Sequence, residues 1–210
     1  MFDVHQDAHA FFTEAYRTEF VPWERAAAAG RGQESALFDL EDAAHPAPGR
    51  RALDIGCGRG RDAVLLAERG WRVTGVDFVA EAIEAARELP GAERIDFVVG
   101  DAADLTACVS GRFDFFLDGG CFHGLSPEER VGWGRGVVAL AAPAATLLMV
   151  AFDPWAAGRP TPPNVPAGTT LEGILSVLPG WTLVSDEPMP DAYRPVPQPA
   201  HFYRLRNGDD

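Results

Sequence analysis

Residues 51–77 read RALDIGCGRGRDAVLLAERGWRVTGVD, and this stretch decides the fold. Arg51 to Ile55 is a short apolar run of strand length. Gly56, Gly58 and Gly60 follow at alternate positions, where a chain without β-carbons can turn sharply and let a ligand lie against bare main chain. Arg61 to Arg69 then reads as a helix with Val64, Leu65 and Leu66 on its apolar side and Gly70 as its stop, and Arg72 to Asp77 as a second strand. Strand, glycine turn, helix and strand in so few residues make a βαβ unit, which implies a parallel pair and a right-handed crossover.

The rhythm continues downstream. Val79 to Leu89 is an Ala/Glu-rich helix ended by Pro90-Gly91, Ile95 to Val99 a third strand and Phe113 to Leu117 a fourth. Ser126-Pro127-Glu128-Glu129 supplies an N-cap, a proline at N1 and a glutamate at N3, so a helix is predicted from there to Leu140. Ala145 to Phe152 is the most apolar strand and belongs at the centre of the sheet. Thr170 to Leu178 is a short helix, and Trp181 to Asp186 and His201 to Arg206 are two more strands. Only a proline-rich connection joins these two, so the final strand is expected to be antiparallel to its neighbour. The expected fold is α/β, a doubly wound, mostly parallel seven-stranded sheet of Rossmann-like type with its last strand antiparallel. Residues 1–210 read as one domain, with a helical lid segment over 1–49, a core over 50–152, and a helix, strands and loops over 153–210. Phe12, Tyr16 and Phe20 recur every four residues, as an aromatic stripe that packs on the domain or covers a ligand.

Composition excludes whole mechanisms. The chain of 210 residues has 18 Lys+Arg, all of them arginine, so every chemistry built on a lysine amine is removed. A net charge of −13 repels phosphate backbones and anionic lipid, which makes a small molecule the expected partner rather than nucleic acid or membrane. Three cysteines, Cys57, Cys108 and Cys121, show no metal-ligand spacing and fit a reducing compartment, so no metal is expected. With no apolar run long enough to span a bilayer and no basic start, a cytoplasmic location is expected. The arginine-only, alanine-rich usage suits a bacterial genome of high GC content.

In a doubly wound sheet the ligand lies beyond the carboxyl ends of the strands. A dinucleotide fingerprint beginning at Gly56 needs a third glycine at position 61, where Arg61 stands. The segment instead resembles the first motif of the class I S-adenosylmethionine-dependent methyltransferases: Ala52, Leu53 and Asp54, then Gly56, Gly58 and Gly60. The resemblance runs from about Arg50 to Phe152 and implies S-adenosyl-L-methionine as cofactor and S-adenosyl-L-homocysteine as product. It implies that the loop around Cys57 cradles the methionyl part with Asp54 facing its ammonium. It further implies that Asp77 holds the ribose hydroxyls, that Phe78 flanks the adenine, and that Asp101 and the Ala102 amide meet the adenine edge. The fourth motif falls on residues 113–120, placing Asp118 and Gly119 at the cofactor edge. Taken singly, Asp77 and Asp101 also read as turn or cap residues.

The acceptor belongs beside the segment after the fourth strand. His123 reads as a base or hydrogen-bond donor there, or as a histidine bonded to a backbone carbonyl; Cys121 reads as a small packing residue and Phe122 as part of the lining. The Val21-Pro22-Trp23 segment resembles the thiopurine and tellurite-resistance branch, in which a Pro-Trp lines the methyl end, although Glu24-Arg25-Ala26 replaces the usual Asp-x-Gly. Trp23 alternatively anchors the N-terminal helix. Two long connections carry Trp155, Met189 and Tyr193 toward the pocket. The expected function is methyl transfer to a small acceptor, heterocyclic or a specialised metabolite, with sulfur, nitrogen, oxygen and halide left open, as is monomer or homodimer. The rivals are a cofactor-binding protein without methyl transfer, such as a sensor, and a nucleotide-dependent oxidoreductase.

Overall fold

A computed structural model describes residues 8–24, 31–155, 165, 167–194 and 196–208. Seven strands form one sheet: β1 (Arg51–Ile55), β2 (Arg72–Asp77), β3 (Asp96–Val99), β4 (Phe113–Asp118), β5 (Ala141–Phe152), β6 (Trp181–Pro188) and β7 (Ala200–Asn207). Their order is β3-β2-β1-β4-β5-β7-β6. The first five are parallel, and β7 lies antiparallel between β5 and β6. The helices are α1 (Ala8–Arg17), α2 (Arg31–Ala44), α3 (Arg61–Glu68), α4 (Ala80–Arg87), α5 (Leu105–Cys108), α6 (Pro127–Leu140) and α7 (Leu171–Leu175).

The sheet is buried on both faces, which is why its central strands read as continuous apolar runs. On one face Leu53, Phe116, Leu147 and Leu205 pack with Trp133 and Val137 of α6 and Ile174 of α7. On the other, Ala52, Phe115, Leu148 and Phe202 pack with Leu37 and Phe38 of α2, Leu66 of α3 and Ile83 of α4. Helix α6 starts on the predicted capping box, with Ser126 Oγ accepting from the Glu129 amide and the Glu129 carboxylate accepting from the Ser126 amide. It also approaches the β3–α5 turn closely, since a β-carbon on Gly132 would stand 2.3 Å from the Ala103 carbonyl oxygen.

Two expectations shift. Strand β5 begins at Ala141 rather than Ala145, and its register against β4 slips between Phe113 and Phe115. The irregularity falls by Pro143, which has no amide hydrogen to donate, and Ala144, whose φ is +57°. The aromatic stripe is also cut short. Helix α1 stops at Arg17, Glu19 adopts a left-handed φ of +56°, and Phe20 is 53% exposed. Trp23 takes its place, 5.4 Å from Phe12 and 5.8 Å from Tyr16 between ring centroids.

A buried polar cluster fastens α2 to the sheet. Glu41, fully buried, accepts from Arg204 Nε at 2.5 Å and from the Thr146 hydroxyl, and His45 Nε2 lies 2.8 Å from that same hydroxyl. Among the described residues no helix is long and apolar enough to cross a membrane.

Candidate active site

The carboxyl ends of β1, β2, β3 and β4 lie at one edge of the sheet, and an acid stands within two residues of each. Gly56, Gly58 and Gly60 have φ of +70°, +53° and +76°, so the loop after β1 takes a path that other residues rarely adopt. It is pinned to β2: the amides of Gly56 and Cys57 both donate to the Val76 carbonyl, and the Gly58 amide donates to Asp77 Oδ2 at 2.9 Å. Asp77 Oδ1 accepts from the Val79 amide at 2.9 Å. One carboxylate therefore fixes the glycine loop and the entry to α4 together. Burial raises the Asp77 pKa, against the pull of those amide bonds.

Asp54 is 3% exposed, and its Oδ2 is buried without a hydrogen-bond partner. Burial lifts its pKa well above the ordinary range, and the nearby charges of Asp62, Asp118 and Asp77 add to the effect. An unanswered carboxylate oxygen among other acids calls for a cationic group. Asp118 is differently occupied: its Oδ1 accepts from the amides of Gly120 at 3.1 Å, Cys121 at 2.7 Å and Phe122 at 3.2 Å, which folds the segment after β4 around it. Burial pushes its pKa up to about 6. Asp101 Oδ1 accepts from the Ala103 amide at 2.8 Å, which leaves buried Ala102 inside the turn.

Helix α1 lies across these loops. A β-carbon on Gly58 would stand 2.5 Å from the Tyr16 hydroxyl oxygen, so the phenol rests on the glycine turn. The His9 ring is 4.1 Å from the Phe78 ring, and its Nε2 is 3.9 Å from Asp101 Oδ2. Arg59, inside the glycine loop, reaches back to Glu19 at 2.8 Å and Glu24 at 3.5 Å and lies 5.5 Å over the Tyr16 ring. The N-terminal helix thus touches the loops after β1, β2 and β3.

In the segment after β4, His123 is 4% exposed and its Nδ1 is 3.3 Å from the Val150 carbonyl oxygen. A carbonyl only accepts, so Nδ1 carries the hydrogen and Nε2 keeps its lone pair. Burial lowers the pKa to about 4, which leaves the ring neutral near pH 7. The ring lies against Gly120, whose β-carbon would meet it at 3.0 Å, and against Phe152 at 4.7 Å between centroids. Arg130 donates to both the His123 and Gly168 carbonyls at 3.0 Å. Cys121 packs on Gly56, and burial raises its thiol pKa and that of Cys57 well above the usual range, which makes both poor nucleophiles. Phe122 turns into the core, 4.8 Å from Trp133 between centroids. Gly119 stands at the end of β4 facing Asp62. Trp155 follows β5 with its indole N–H buried and unpartnered. Tyr193 falls in a short turn, Asp191–Tyr193, and its side chain lies outside the described residues, as do Arg25 and Ala26.

Sequence reasoning passed over Asp62, Arg59 and His9. For Asp62 a signal was present, because it follows the arginine that breaks the dinucleotide fingerprint. No group of metal-ligating side chains occurs among the described residues.

Residues 52–144 match the family described as "Methyltransferase domain". The chain is 35% identical over 103 residues to the 2-heptyl-1-hydroxyquinolin-4(1H)-one methyltransferase of Mycobacteroides abscessus, covering 48% of this chain and 45% of that protein. It is 30% identical over 173 residues to thiocyanate methyltransferase 1 of Brassica oleracea, covering 80% of this chain and 72% of that protein. Its fold is similar to that of the 1,6-didemethyltoxoflavin-N1-methyltransferase of Burkholderia thailandensis, with a TM-score of 0.69 at 23% identity, covering 100% of this chain and 92% of that one. The chain therefore spans less than half the length of the hydroxyquinolone enzyme and nearly three quarters of the thiocyanate enzyme.

Proposed function

The chain belongs to the class I S-adenosylmethionine-dependent methyltransferases, and from that premise we propose that it methylates a small molecule, a heterocyclic or specialised metabolite, in the cytoplasm of a bacterium. The observation that carries the cofactor reading is Asp54 Oδ2, buried and without a partner among other acids, where a cationic ligand group is required. S-adenosylmethionine supplies an electrophilic methyl on a sulfonium when bound. The residues of this chain have the remaining tasks. Asp54 and the glycine loop through Cys57 hold the methionyl part, Asp77 the ribose hydroxyls, Phe78 one adenine face, and Asp101 with Ala102 the adenine edge. Asp118 holds the loop that carries Gly119, and α1 with Trp23 excludes water as a lid.

His123 acts as a neutral hydrogen-bond acceptor that orients the N–H or O–H of the incoming nucleophile through Nε2, while Val150 fixes its tautomer. Cys121 and Trp155 line the approach. The names of the relatives support this class of acceptor, since a hydroxyquinolone, thiocyanate and didemethyltoxoflavin are all small molecules. Calorimetry with S-adenosylhomocysteine and NAD tests the cofactor. Mass spectrometry of a panel of heterocyclic hydroxyls, amines and thiols tests the acceptor. Micromolar binding of S-adenosylhomocysteine and a mass gain of one methyl are expected; binding of NAD instead rejects the reading.

A further inference from the structure

Helix α1 sets His9, Phe12 and Tyr16 on one face, at spacings of three and four residues. Phe12 and Tyr16 pack with Val79 and Ala82 at the entry to α4, and so fix how the helix lies. That docking brings His9, one turn back, onto the loops after β2 and β3. Its ring centroid is 4.1 Å from that of Phe78, with the planes 38° apart, and its Nε2 is 3.9 Å from Asp101 Oδ2. Asp101 Oδ1 already accepts from the Ala103 amide, so Oδ2 is the oxygen left for a ligand. The His9 and Asp101 side chains are 52% and 46% exposed, and a pair so open to solvent adds little to the fold.

The two groups that His9 touches are the two proposed for the adenine, a stacking face and an acceptor for its amino group. An imidazole imitates both halves of that ligand, being flat, aromatic and able to donate a ring N–H to a carboxylate. Both rings cannot use the place together. Aromatic faces come no closer than about 3.5 Å, so a purine between His9 and Phe78 would need them about 7 Å apart. We infer that His9 is a built-in competitor of the adenine, and that the first turn of α1 swings clear of Phe78 and Asp101 before the nucleoside enters. The inference rests on the cofactor reading above and adds a regulatory contact to it. Its sign is fixed by linkage: the apparent affinity is the intrinsic one multiplied by the fraction of molecules in which His9 is withdrawn.

The test is calorimetry and stopped flow on the full chain, wild type and His9→Ala, with S-adenosylhomocysteine and adenosine as probes. The position is exposed, so the substitution leaves the fold in place, which thermal unfolding checks. His9→Ala is expected to bind both probes about three- to tenfold more tightly, as the loss of one aromatic contact from the competing state implies. The gain should lie in the association rate, with the dissociation rate unchanged. Adenosine should gain as much as S-adenosylhomocysteine, because the competition is for the base alone. Unchanged affinity for either probe overturns the inference, and so does weaker binding, which would make His9 a cover over the adenine. Failure of both proteins to bind either probe rejects the cofactor reading itself, which is a different outcome.

Discussion

The Gly58 amide donates to Asp77 Oδ2 across 2.9 Å, and so the carboxylate proposed to hold the ribose also holds the loop proposed to cradle the methionyl chain. Asp77→Ala removes the acceptor for both the Gly58 and Val79 amides. The expected result is a lower melting temperature together with S-adenosylhomocysteine binding weakened by about 1–3 kcal/mol. Calorimetry and thermal unfolding on one sample check both; a variant that binds as the wild type does would place the ribose elsewhere.

Gly58 also meets α1. An alanine there meets the Tyr16 hydroxyl oxygen at 2.5 Å in a backbone with φ of +53°. Gly58→Ala is therefore expected to abolish cofactor binding, and adding Tyr16→Phe should recover little of it because the backbone strain remains. Arg59→Ala should act more mildly. Its pairs with Glu19 and Glu24 are partly solvated, so the affinity should fall only about two- to fivefold, through faster dissociation measured by stopped flow.

His123 and Asp118 titrate in opposite senses. The folded chain refuses the His123 proton until about pH 4, whereas an unfolded histidine takes it near 6.5, so this group drains stability as the pH falls through that window. Asp118 takes its proton at about 6 in the fold and near 3.8 when unfolded, so acidification over the same range adds stability. Removing the histidine leaves the second effect unopposed. The melting temperature of His123→Asn should rise relative to that of the wild type as the pH is lowered from about 7 to about 4.5. At pH 7 the same variant should lose turnover while keeping its S-adenosylhomocysteine affinity; equal loss of both makes the histidine structural.

Breaking the Glu41–Arg204 pair leaves a buried charge without its partner. Glu41→Ala and Arg204→Ala are each expected to cost about 3–5 kcal/mol in urea unfolding, and the double variant less than their sum. A loss in the double variant equal to the sum of the two single losses would show the side chains to be uncoupled.

The βαβ units were legible because each rests on neighbours in sequence: a strand of apolar residues, a turn of glycines, a helix with a cap. The acids at the strand ends were legible for the same reason, since the end of a strand fixes where its next side chain stands. What could not be read is contact between distant segments. Glu41 looks like the solvent side of an amphipathic helix, and only the docking of α2 brings it to Arg204, 163 positions away. Tyr16 reads as one step of an aromatic stripe, and the hydroxyl that touches Gly58 depends on how α1 lies. Phe122, a residue expected to line the acceptor, goes into the core because Asp118 gathers the amides around it and turns the ring toward Trp133. The early start of β5 was hidden by Pro143, which reads as a boundary yet sits in an irregular stretch of strand.

Strand β7 sits between β5 and β6, although β6 precedes it in the chain. Every interstrand hydrogen bond of β6 therefore waits for a segment synthesised after it, and β6 emerges with both edges unpaired. The parallel half around β1, β2 and β4 can assemble while translation continues, but the sheet closes only in its final step. A substitution that slows the docking of β7 on β5 would expose two unsatisfied edges at once, and its first symptom would be aggregation of new chains rather than weaker activity of finished ones.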